Sequence, residues 1–109
     1  MTVDLLYLPG CPHHAEASRL VREVLRKEGV KAHFTESRIS NLEEARKRRF
    51  PGSPTLRVNG RDIEDPCGAQ GTVGFACRTY WVDGKPQGIP PRAWLERAIR
   101  TAQLQMEGP

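Results

Sequence analysis

The sequence predicts an α/β domain: a mixed central sheet with helices packed on it, in the order β-α-β-α-β-β-α. Three observations predict it. A largely apolar run, Val3 to Leu8, stops at Pro9-Gly10 and gives way to residues 12–28, whose apolar positions recur at helical spacing. Pro54 is followed by the alternating Thr55-Leu56-Arg57-Val58 and then by Asn59-Gly60, the strongest two-residue hairpin signal. Residues 91–106 place Trp94, Leu95, Ala98, Ile99 and Ala102 on one helical face. With 109 residues the chain has room for one domain, 1–109, and not for two.

Each element has a local cause. Residues 3–8 read as a buried strand. In the first helix, 12–28, Pro12 suits the opening turn, Ala17, Leu20, Val21, Val24 and Leu25 share a face, and Gly29 is a natural stop. Val30 to Thr35 reads as a second strand, which implies a parallel pair with the first through a right-handed crossover. Ser40-Asn41-Leu42-Glu43 resembles a capping box with Ser40 as N-cap. That opens a helix to about Arg49, broken by Pro51-Gly52. Thr55–Val58 and Arg61–Glu64 form the hairpin. Residues 65–90 read as a loop-rich insertion. Within it, 77–82 is extended up to an Asp83-Gly84 turn, and Lys85 to Pro91, with three prolines, is expected to lack regular structure. Tyr80-Trp81 and Trp94 read as core or loop-anchoring aromatics.

Charge and composition exclude several classes. The formal net charge is +4, a mild excess that bears on solubility more than on fold. The run Arg46-Lys47-Arg48-Arg49 follows Glu43-Glu44, the order that the helix dipole favours, and reads as a solvated helix end. No aromatic platform surrounds it, so nucleic-acid binding is not expected. No apolar run approaches the roughly 18 residues of a membrane span, and Met1-Thr2-Val3-Asp4 lacks the basic start of a secretory signal. A cytoplasmic location without membrane contact is the expectation. Three cysteines, Cys11, Cys67 and Cys77, are too few for a disulfide framework and fit redox, metal-binding or inert roles.

The candidate site centres on Leu8-Pro9-Gly10-Cys11-Pro12-His13-His14. A thiol between a strand end and a helix start meets unpaired N–H groups and a partial positive charge, both of which favour thiolate over thiol. His14, about one turn on, could stabilise the thiolate or take its proton, or could make no such contact. His13 reads as solvent-exposed. Cys11 could equally be a buried structural cysteine.

On two motifs the chain resembles the thioredoxin-like superfamily, nearer its short glutaredoxin-like branch. Gly10-Cys11-Pro12-His13-His14 stands at the place of that family's Cys-x-x-Cys, and Gly52-Ser53-Pro54-Thr55 is similar to its cis-proline motif before the third strand. The resemblance covers most of the chain outside 65–90. It implies a thioredoxin-like fold and thiol-disulfide oxidoreductase chemistry with Cys11 as nucleophile. It also implies that Pro12, Ser53 and Pro54 position the substrate, with the Ser53 backbone holding an extended segment by β-type hydrogen bonds. No cofactor is implied, and the partner is a protein or low-molecular-weight thiol or disulfide. The chain departs from the family where His14 replaces the second cysteine, which rules out a dithiol cycle within the motif. Cys11 would act alone or be resolved by Cys67, Cys77 or an outside thiol. The family's glycine pair that receives the glutathione carboxylate is replaced by Glu64-Asp65-Pro66, whose charges oppose a carboxylate.

Two other functions stay open. Three thiols and two histidines could handle a soft metal ion such as mercury, copper(I) or arsenic, with Cys67 and Cys77 as ligands. Organomercurial lyases place paired cysteines near an acid, and Asp65 adjoins Cys67. The spacing Cys-x9-Cys does not suit structural zinc. A Cys67–Cys77 disulfide would contribute about 2–3 kcal/mol. Alternatively the chain is a non-catalytic binding module that keeps the fold without the chemistry.

Overall fold

The computed structural model describes residues 1–64 and 73–106. Strand β1 (Thr2–Tyr7), helix α1 (His14–Glu28), strand β2 (His33–Arg38), helix α2 (Leu42–Lys47) and strands β3 (Thr55–Val58) and β4 (Arg61–Asp62) follow in order. Two further strands, β5 (Tyr80–Val82) and β6 (Lys85–Gln87), precede helix α3 (Arg92–Met106). The main sheet is mixed, in the order β2-β1-β3-β4. β1 lies parallel to β2 and antiparallel to β3, and β4 closes the hairpin with β3.

Alternation along β1 sets the layers. Val3 and Leu5 join Val21, Val24, Leu56, Leu95 and Ile99 in the larger core, under α1 and α3. Leu6 points the other way, to Ile39, Ala45 and Phe50 under α2. Burying each such side chain fully contributes about 1.5–3 kcal/mol, so the two-faced β1 is the spine of the fold.

Local signals place most boundaries. Gly29 caps α1 in the left-handed region at φ 65°. Asn59 and Gly60 both take positive φ, 51° and 80°, as a two-residue hairpin turn requires. The Asn59 side chain and backbone also pin the start of β1, through Thr2 N–H at 2.9 Å and Thr2 C=O at 2.8 Å.

Four expectations are corrected. α1 begins at His14 rather than Pro12, because residues 11–14 close a separate turn. β2 is displaced from 30–35 to His33–Arg38: Val30 and Ala32 pack against the core in the connection, and the strand follows its register with β1. The N-cap of α2 is Asn41, whose side chain accepts from Glu44 N–H at 2.8 Å, while the Glu44 carboxylate takes Ser40 N–H at 2.9 Å. The N-cap and its glutamate partner therefore lie one residue beyond the expected pair, and the glutamate reaches the residue before the N-cap rather than the N-cap itself. Lys85–Gln87 is a strand, paired with Tyr80–Val82 through the Asp83-Gly84 turn. Pro86 fits because a two-stranded ribbon has an outer edge that needs no donor.

Candidate functional site

Cys11 sits where two turns meet. In the first, Cys11 N–H donates to Leu8 C=O at 3.1 Å, with Pro9 second and Gly10 third at φ 76°. This is the residue order of a type II turn, whose third position needs positive φ. In the second, His14 N–H donates to Cys11 C=O at 3.4 Å. Ala17 N–H then takes His13 C=O at 2.9 Å and the helix is under way. The thiol thus precedes the helix by a turn and is half-buried.

Ser53 and Pro54 come to the same place from β3. The Ser53–Pro54 bond is cis, and both residues are buried. The Ser53 hydroxyl accepts Leu8 N–H at 3.0 Å, joining the start of the Cys11 turn to the residue before Pro54. Forty-five residues of chain separate these two partners.

His14 has definite partners. Its ring stacks on Tyr7, centroids 3.6 Å apart and 9° from parallel, and its Nε2 lies 2.9 Å from the Glu36 carboxylate. Arg22 reaches the other oxygen of Glu36 at 3.4 Å. Nε2 is therefore committed to β2 rather than to the Cys11 thiol. His14, Arg22 and Glu36, with Arg19 and Arg26, line an open groove of about 520 Å³. His13 is half-exposed, with one face of its ring against Gly88, where a Cβ would overlap it.

The segment before β5 adds what the sequence did not announce. Ser53 N–H donates to Ala76 C=O at 3.0 Å, and Arg78 N–H donates to Ser53 C=O at 2.8 Å, a parallel bridge that sets Cys77 opposite Ser53. The two Ser53 groups expected to hold a substrate are engaged by the chain itself. Cys77 is exposed, and both it and Cys11 are free thiols. Cys67, with its neighbours Asp65 and Pro66, lies outside the described residues, so its pairing is not described. Among the described residues no three His, Cys, Asp or Glu side chains converge as metal ligands.

Arg78 fastens this segment. Its side chain is 8% exposed and contacts Asp62 at 2.6 and 3.1 Å, Glu64 at 2.8 Å and the Thr55 hydroxyl at 3.1 Å. Burial alone would lower the guanidinium pKa. The Asp62 and Glu64 hydrogen bonds outweigh it and hold Arg78 above its ordinary range. Arg78 also stacks 4.6 Å from the centre of the Tyr80 ring. Burial pushes the Tyr80 phenol up, Arg78 opposing, and its hydroxyl donates to Pro54 C=O at 2.5 Å. Tyr80 meets Trp94 edge-on at 6.3 Å, whereas Trp81 is 63% exposed.

Comparison with protein-family models, curated proteins and solved structures gives no match. The site therefore stands on its own geometry. At the C-terminal end of β1, Leu8 is bonded both to Cys11 and to Ser53, and Cys77 is bridged to Ser53. Arg78, Asp62 and Glu36 were missed. Their partners lie 14 to 23 residues away, and no local spacing marks such pairs.

Proposed function

We propose that this chain is a thioredoxin-like thiol-disulfide protein whose nucleophile is Cys11. The observation that carries the reading is the Leu8–Ser53 hydrogen bond. It ties the turn presenting Cys11 to the residue before Pro54. Parallel β1 and β2 joined through α1, the β3–β4 hairpin and the closing α3 agree with the element order that the resemblance implies, with β5 and β6 as an addition.

The Cys11 thiolate attacks one sulfur of a disulfide. A new S–S bond forms at Cys11, the old one breaks, and the electron pair leaves with the departing thiolate. A second thiol, supplied in solution or by Cys67 or Cys77, attacks the mixed disulfide and returns Cys11 to its reduced form. The turns on either side leave the thiol half-buried beyond the strand end, and His14, held by Tyr7 and Glu36, keeps the first turn of α1 in place.

Disulfide reduction with an added thiol tests the reading, comparing the wild-type chain with Cys11→Ser. The expected result is loss of catalysed turnover in the variant, to the rate of the added thiol alone. Equal rates for the two proteins would reject Cys11 as nucleophile.

A further inference from the structure

We propose that the Cys11 site is restricted to low-molecular-weight disulfides, because residues 74–78 of the same chain already fill the main-chain positions an extended polypeptide would use. The inference rests on the reading of Cys11 as a thiol-disulfide nucleophile and names its substrate class.

An extended polypeptide is recognised by strand addition, which requires unpaired N–H and C=O groups beside the reacting atom. At the end of β1 these groups are taken. Tyr7 C=O accepts Ile39 N–H at 2.8 Å, Leu8 N–H goes to the Ser53 hydroxyl, and Leu8 C=O accepts Cys11 N–H. β1 itself lies between β2 and β3, so neither of its edges is open. The docking groups that the resemblance implies are the N–H and C=O of Ser53, and among the described residues Ala76 and Arg78 hold both.

The segment is fixed in place rather than loosely laid. Gly74 N–H donates to Phe50 C=O at 2.9 Å, a third main-chain bond to the run 50–53. A Cβ on Gly74 would come within 2.8 Å of Pro51 C=O, and one on Gly52 within 2.9 Å of the Arg78 Cβ. Both glycines thus permit a backbone approach that no other residue would. Arg78, buried and bound to Asp62, Glu64 and Thr55, anchors the far end. Beyond β6 the same unit lays Gly88 on the His13 ring, on the helix side of the Cys11 turn. A small disulfide needs only an approach to the sulfur and no main-chain partner.

The test compares two disulfides with the same leaving group, in the Cys67→Ser/Cys77→Ser protein. One joins 2-mercaptoethanol to 2-nitro-5-thiobenzoate; the other joins the same thiobenzoate to the cysteine of an extended decapeptide. Attack by Cys11 oxidises its sulfur, reduces the leaving sulfur and releases the coloured thiobenzoate anion. N-acetylcysteine sets the intrinsic reactivity of each probe. After that correction, the small disulfide is expected to react about tenfold or more faster than the peptide, the scale of the two main-chain hydrogen bonds to Ser53 that the peptide would have to displace from residues 76–78. Arg78→Ala, and the milder Gly74→Ala if the first fails to fold, should raise the peptide rate towards the small one. Equal corrected rates in the parent protein would overturn the restriction and leave the thiol reading intact. So would a preference unchanged in a folded variant with the segment loosened. A Cys11 no faster than N-acetylcysteine with both probes would take down the thiol reading and this inference together.

Discussion

Two side chains fix the geometry around Cys11, and neither is the thiol. Ser53 supplies the acceptor for Leu8 N–H. Replacing it by alanine leaves that partly buried donor unpaired, at a cost of about 1–3 kcal/mol. Ser53→Ala should therefore lower stability by that amount in urea and speed amide exchange at Leu8 selectively; unchanged Leu8 protection would show that the bond does not hold the turn. Arg78 is the second. Removing a buried partner from an ion pair costs about 3–5 kcal/mol, because the remaining charges are stranded. Arg78→Met takes the guanidinium from Glu64 and leaves Asp62 with its other partners, among them Glu64 N–H at 2.8 Å. It should lose stability near the lower end of that range, since Glu64 is a quarter exposed. A loss below about 1 kcal/mol would mean that water rescues both carboxylates.

Among the elements, α1 and α3 are joined by apolar packing and edged by ion pairs: Lys27–Glu96 at 2.7 Å, Arg100–Glu28 at 2.9 Å and Arg92–Glu23 at 3.1 Å. The Arg100 hydrogen bond holds Glu28 below its ordinary carboxyl range, and the Lys27 hydrogen bond does the same for Glu96. A carboxyl depressed in the folded state stabilises above its unfolded pKa and loses that contribution as pH falls through the folded one. Melting temperature should accordingly fall below about pH 4.5, and Lys27→Gln/Arg100→Gln should flatten that slope while changing little at pH 7 in high salt. An acid slope identical in the variant would assign acid sensitivity elsewhere. Elements also differ in how openly they are written. Asn59-Gly60 and Gly29 mark their turns in the sequence because positive φ is a local demand. The bounds of β2 are less legible than its existence, because an edge strand with charged residues takes its limits from pairing with β1.

For the molecule as a whole, the β5–β6 ribbon is bound into the same structure as the main sheet. Tyr80 is fully buried, reaches Pro54 and touches Trp94 of α3, while Ala76 and Arg78 bridge to Ser53. Unfolding should be one cooperative transition, with far-ultraviolet dichroism and tryptophan fluorescence giving the same midpoint in denaturant. Separate midpoints would make the ribbon an independent unit. An isolated two-stranded hairpin is at best marginally stable in water, so its order depends on those attachments.

By itself the sequence determined what short-range physics controls. The apolar run of β1, the apolar faces of α1 and α3 and the turn residues at 9–10, 29 and 59–60 specify a mixed α/β sheet, and the Pro-Gly-Cys-Pro run specifies a thiol at a strand–helix junction. Tertiary structure alone decided what surrounds that thiol. His14 was as free to face Cys11 as to face away, and stacking on Tyr7 with a carboxylate from β2 settled it. Ser53 could have offered its backbone to a substrate, and residues 76–78 occupy it. Arg78 carries no local mark of its role, which Asp62 and Glu64 supply across the fold. The physical reason is common to all three. A turn or a helical face is fixed by residues within a few positions, whereas a buried charge or a filled docking edge depends on partners that only the folded chain brings together.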